Sequence, residues 1–159
     1  ALDDTGVHCW GADSLAVPSL NRPFFLSANR WGSTCALDDD GVKCWGNKVY
    51  GQMNVPALKN PVALSSGGLH TCALDDLGVK CWGYNEFGQT NVPSLKNPVA
   101  VSTRGYHTCA IDDSGLKCWG DNTFGQLGNG TFGGSPALVP TDVPGLTTGV
   151  TAVAVGGYT

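Results

Sequence analysis

The sequence predicts an all-β chain built from four-stranded β-propeller blades, about four of them, and three observations predict it. Cys35, Cys72 and Cys109 stand 37 residues apart, and so do the sets Cys44/Cys81/Cys118 and Trp45/Trp82/Trp119. Each repeat holds four short apolar runs separated by turn residues, the signature of a blade. Gly (23) and Pro (9) make up about a fifth of 159 residues, which suits many strands joined by tight turns rather than long helices.

The repeats are 1–35, 36–72, 73–109 and 110–159, together one propeller segment. The second reads ALDDDGVKCWGNKVYGQMNVPALKNPVALSSGGLHTC and the third ALDDLGVKCWGYNEFGQTNVPSLKNPVAVSTRGYHTC. The first keeps ALDDTGVHCWG and VPSL but loses the Gly-Gln step. The last keeps IDDSGLKCWGDNTFGQ, then carries the longer LGNGTFGGSPALVPTDVPGL and ends in VTAVAVGGYT. Within a copy the first strand is the small-residue run PVALS, PVAVS or VTAVAV, small enough for the crowded centre where blades converge. The second is HTCAL or HTCAI, and an Asp-Asp-x-Gly turn leads to the third, GVKCWG or GLKCWG. Gly41, Gly78 and Gly115 close these turns, where a positive φ carries no Cβ penalty. A weak fourth strand is expected around NVPAL and NVPSL.

GGLHTCALDD, GVKCWG and the following Asn-to-Gly-Gln step resemble the regulator-of-chromosome-condensation repeat, and the resemblance runs through essentially the whole chain. It implies a propeller, usually of seven blades. Four copies are then part of a seven-bladed ring, unless chains associate to finish a ring or four blades close alone. Functions in the family diverge, from a nuclear exchange factor to a secreted bacterial enzyme inhibitor, so the fold does not settle the function. The Cys-rich CALDD…VKCWG variety looks most like the secreted bacterial copies.

Paired cysteines nine apart flank one hairpin. Residues whose numbers sum to a constant face each other across a tight turn, so Cys35–Cys44, Cys72–Cys81 and Cys109–Cys118 are read as cross-strand disulfides. Structural zinc favours closer pairs, so no metal is assigned, and no cofactor. Disulfides imply export: an extracellular, periplasmic or cell-surface protein. Cys9 is left over, and its partner is expected as a Cys immediately upstream of Ala1.

A net charge of −4 and a pI near 5.1 give no basic footprint for nucleic acid. No apolar run approaches a membrane span, and no nucleophile elbow, zinc-protease or phosphate-loop motif appears, so no catalytic residue is assigned. The Asp pairs 3/4, 38/39, 75/76 and 112/113 read as turn chemistry rather than calcium ligands. The Trp-Gly steps read as blade packing, Gln52, Gln89 and Gln126 as backbone partners within their loops, and Tyr50, Phe87 and Phe124 as core.

The loop between the first and second strands varies within a constant frame. Arg30, Trp31, Leu69, His70, Arg104, Tyr106, His107 and Tyr158 therefore form the candidate binding face. The expected function is a non-enzymatic, secreted or surface propeller that binds a protein partner. The alternatives are a structural subunit or spacer that continues into further blades or self-assembles, and, less favoured, a propeller lyase or hydrolase.

Overall fold

The structure is a computed structural model and describes residues 1–10, 17–133 and 136–157. Among them are twelve strands and no helix, in four antiparallel sheets. A two-stranded hairpin pairs β1 (Leu2–Asp3) with β2 (Gly6–Val7). The next sheet is β3 (Phe25–Ala28), β4 (Ser33–Asp38) and β5 (Gly41–Gly46). It is followed by β6 (Ala63–Ser66), β7 (His70–Asp75) and β8 (Gly78–Gly83). The last holds β9 (Ala100–Arg104), β10 (His107–Asp112), β11 (Gly115–Gly120) and β12 (Ala137–Asp142). Each repeat boundary of the sequence falls inside a second strand, so each of the three larger sheets takes its first strand and the start of its hairpin from one sequence repeat and the rest of the hairpin from the next.

The hairpins form as the spacing predicts. Cys35 faces Cys44, Cys72 faces Cys81 and Cys109 faces Cys118 in register, and each pair is a disulfide with Cα atoms 4.0–4.1 Å apart. Closing so short a loop stabilises each hairpin by about 2–3 kcal/mol on the chain-entropy estimate. Gly41, Gly78 and Gly115 turn the chain with φ of 118°, 117° and 108°. The glycine after each Trp has a different reason: a Cβ on Gly83 or Gly120 would stand 2.5 Å from the carbonyl oxygen of Leu69 or Tyr106.

Two expected strands do not form. Residues 54–58 and 91–95, NVPAL and NVPSL, lie outside any sheet. Pro56 and Pro93 sit in mid-segment without an N–H for the ladder. Val55, Leu58, Val92 and Leu95 instead lay their side chains on the adjoining cores. Only the last sheet gains a fourth strand, β12, from the long insertion. Among the described residues, 150–155 also lie outside any ladder. Val153 and Val155 still pack on the core beneath Cys109 and Cys118.

The sheets associate through two repeated seams. Near the axis, each blade's inner serine accepts a backbone N–H from the next inner strand: Ser27 from Ser66 (3.0 Å), Ser65 from Thr103 (2.8 Å) and Ser102 from Val155 (3.2 Å). Farther out, Trp82 packs against Cys35, Leu37 and Leu64, and Trp119 against Cys72, Leu74 and Val79. Each indole therefore covers the preceding blade's disulfide. Its N–H reaches a main-chain oxygen of the preceding blade, Gln52 for Trp82 (2.9 Å) and Gln89 for Trp119 (3.0 Å). Trp10, in phase with these residues, is 77% exposed, since no described sheet precedes β1 and β2.

Removing a fully buried indole costs about 3–5 kcal/mol. Trp119→Ala is therefore expected to lower the unfolding free energy by that amount in a urea titration, and Trp10→Ala by less than about 1 kcal/mol. Equal effects would contradict the seam.

Candidate functional site

Strand direction puts the loops on two faces. The loops after β3, β6 and β9 and those after β5, β8 and β11 share one face, tied by backbone bonds from Asn47 to Gly32, Tyr84 to Leu69 and Asp121 to Tyr106. The Asp-Asp-x-Gly turns lie on the other.

The turn face is occupied by its own hydrogen bonds. Asp75 accepts the N–H groups of Lys59 and Leu77 and the Lys80 ammonium. Asp38 does the same with Asn21, Asp40 and Lys43, and Asp112 with Lys96 and Ser114. Each first aspartate thus pins its turn to the chain entering the blade. Burial opposes ionisation of these three carboxyls, but the hydrogen bonds outweigh it and hold them below the usual carboxylate range. Their oxygens are filled by N–H donors, which fits turn chemistry rather than cation ligation.

The opposite face carries a hollow of about 730 Å³ at the mouth of the axis, lined among others by Arg30, Trp31, Arg104, Tyr106, Asp121 and Val155. Asn29 shapes its rim, accepting the N–H groups of Trp31 and Ser33 on one side-chain oxygen. This leaves Trp31 51% exposed, with the Arg30 guanidinium 5.8 Å from its ring centroid. Beside the hollow runs an aromatic cluster: Tyr50 meets Tyr84 at 5.0 Å between centroids, Tyr84 meets Tyr106 at 5.6 Å, and Phe87 meets Tyr106 at 5.3 Å. The Tyr84 hydroxyl donates to Glu86 at 2.6 Å, and that bond, with burial, pushes its pKa up to about 12.

Four expected face residues, Arg30, Trp31, Arg104 and Tyr106, come together at this hollow. Three do not. Leu69, His70 and His107 are buried, because β7 and β10 begin at the histidines and turn them into the seams between blades. The His70 Nε2 donates to Thr108 Oγ1 at 2.9 Å, since that hydroxyl gives its own proton to the Gln89 carbonyl. Burial, then the neighbouring His107, lowers the His70 pKa to about 3. Burial also lowers that of His107, which Asp121 partly opposes. Tyr158 lies outside the described residues.

The sequence reading also misplaced an aromatic set. Tyr50, Phe87 and Phe124 are not core: Tyr50 is 47% and Phe124 61% exposed, and Phe87 is half-buried. Their constant phase comes from the loop, in which Gln52, Gln89 and Gln126 accept the N–H of Tyr50, Phe87 and Phe124. Tyr84 was missed altogether. Its position reads Asn47, Tyr84, Asp121 in successive copies, the same variation in a fixed frame that marked the first loop.

The molecule is thus a disulfide-stapled β-propeller segment with one face of exposed aromatic and cationic side chains. Models of the regulator of chromosome condensation (RCC1) repeat match residues 62–89, 99–126 and 118–159, together more than half of the chain. The chain belongs to the RCC1-repeat family. Among solved structures it resembles Prp20p from Saccharomyces cerevisiae, described with its binding to Gsp1p and histones, at 19% identity and a TM-score of 0.71, covering 89% of this chain and 43% of that one. Human WBSCR16 gives 26% and 0.71, covering 86% and 43%. The ectodomain of the receptor kinase CR4 from Physcomitrella patens gives 26% and 0.56, covering 80% and 34%. The chain therefore spans less than half the length of these structures. A search of curated proteins found no match. Among the described residues, no helix is long and apolar enough to cross a membrane.

Stability should fall with acid in two windows. Free histidine titrates near 6.5, while folded His70 resists protonation to about 3, so its contribution is present above 6.5 and declines as pH falls between these values. The depressed Asp38, Asp75 and Asp112 contribute above 3.8, and that contribution is lost as pH falls through their folded values. In urea titrations from pH 7 to 3, His70→Gln is expected to flatten the upper window and Asp75→Asn the lower one. Unchanged slopes would contradict the assignments.

Proposed function

We propose that this chain is a non-enzymatic, exported propeller segment that binds a protein partner through its aromatic face. The observation that carries the reading is the arc of Trp31, Tyr50, Tyr84 and Tyr106 beside a hollow, contributed by three successive sheets. Aromatic side chains in such a setting are the usual anchors of protein interfaces. The yeast structure described with Gsp1p and histones shares the propeller and is a protein binder. Export is supported by three disulfides, which persist in oxidising compartments, and by the likeness to a receptor-kinase ectodomain.

The test is capture from the exported fraction of the source organism. The wild-type chain and a Val62→Ala/Val99→Ala control are expected to retain the same protein. Trp31→Ala/Tyr106→Ala should weaken it by at least about tenfold, as loss of interface anchors does. Equal retention by all three would contradict the face.

A further inference from the structure

The chain carries nine Lys and Arg. Six of them, Arg22, Lys43, Lys59, Lys80, Lys96 and Lys117, pair with aspartates on the turn side or on β12. The other three, Arg30, Lys48 and Arg104, have no ion pair among the described residues; Arg30 and Lys48 lie in loops of the aromatic face, and Arg104 ends β9 at that face. The acids of that face form no ion pair with these cations among the described residues. Glu86 accepts the Tyr84 hydroxyl, and buried Asp121 accepts Thr123 twice and Gln126 once. Arg30 and Arg104 thus border one hollow without an ion-pair partner, with the buried Asp121 as the carboxylate in its lining.

We propose that this hollow takes a carboxylate side chain from an acidic segment of a protein partner, held between Arg30 and Arg104. The inference rests on the binding face proposed above and names the chemistry of its ligand. A guanidinium matches a carboxylate as a planar, two-pronged donor. Arg30 lies over the Trp31 ring, which limits its orientations and leaves its edge free to donate. Tyr106 borders the same hollow and offers apolar contact to the residues flanking the acid. A nucleic acid fits less well. Its affinity grows with the number of phosphates neutralised, and three cations on a chain of net charge −4 form no basic track.

The test is titration by calorimetry with a capped seven-residue peptide of Asp and Glu around one Tyr. Its Asn/Gln isostere and a short oligothymidylate serve as comparisons. The acidic peptide is expected to bind the wild-type chain at least about tenfold more tightly than either. Arg30→Gln/Arg104→Gln should abolish that preference, Lys59→Gln should leave it intact, and matched urea midpoints should show both variants folded. No binding of the acidic peptide, equal binding of its isostere, or tighter binding of the oligonucleotide would overturn the proposal. The two readings fail separately. If the captured protein is lost with Trp31→Ala/Tyr106→Ala but kept with Arg30→Gln/Arg104→Gln, the face stands and the acid pocket does not.

Discussion

An indole laid over a neighbour's disulfide is the contact on which this structure depends. A three-stranded sheet cannot bury both faces by itself, and repeat architectures solve that by stacking units. Here the staple inside one blade becomes the surface on which the next one sits, as Trp82 does on Cys35 and Trp119 on Cys72. The indole N–H then fixes the angle, because its acceptor is the carbonyl of Gln52 or Gln89 in the loop of the preceding blade. Those glutamines are themselves held, their side-chain oxygens receiving the N–H of Tyr50 or Phe87. Near the axis the inner serines repeat the logic with one hydrogen bond per blade.

This coupling divides the molecule into parts that must stay constant and parts that are free. The hairpins, the Trp-Gly steps, the glutamines and the first aspartate of each pair all answer to a neighbour. The loop tips on the opposite face are tied mainly through their backbones, so the chain can place Trp31, Leu69 or Tyr106 within one frame. Leu69 is drawn into the seam while Trp31 stands out: Gly32 is the counterpart of Leu69, and Trp31 sits one residue earlier, its N–H held by the side chain of Asn29. A rigid frame with variable tips suits recognition, since the anchors lose little freedom on binding.

Much of this was legible in the sequence, and the limits have physical causes. The hairpins, their disulfides and the positive-φ glycines follow from spacing alone, because a two-residue turn fixes which residues face each other. The seams could be guessed from the phase of the tryptophans but not their acceptors, which lie about thirty residues away. The fourth strands failed at Pro56 and Pro93, where apolar pattern competed with a missing donor and lost. The histidines were misread because a residue opening a strand can point into a seam or outward, and only the neighbouring blade decides. Tyr50, Phe87 and Phe124 were misread in the other direction: constant phase signalled a constant loop, not a buried side chain.

The most direct measurement is native-state thiol labelling read by mass spectrometry, with the near-UV signal of the tryptophans followed as reductant is added. Three disulfides, two of them beneath covering indoles and the third beneath Leu127 and Val143, predict that Cys9 alone labels at first. The six paired cysteines should become reactive only on reduction, and the tryptophan signal should collapse with them. Seven thiols that label without reductant, or six that label on reduction while the tryptophan signal persists, would contradict the seam on which this account of the fold rests.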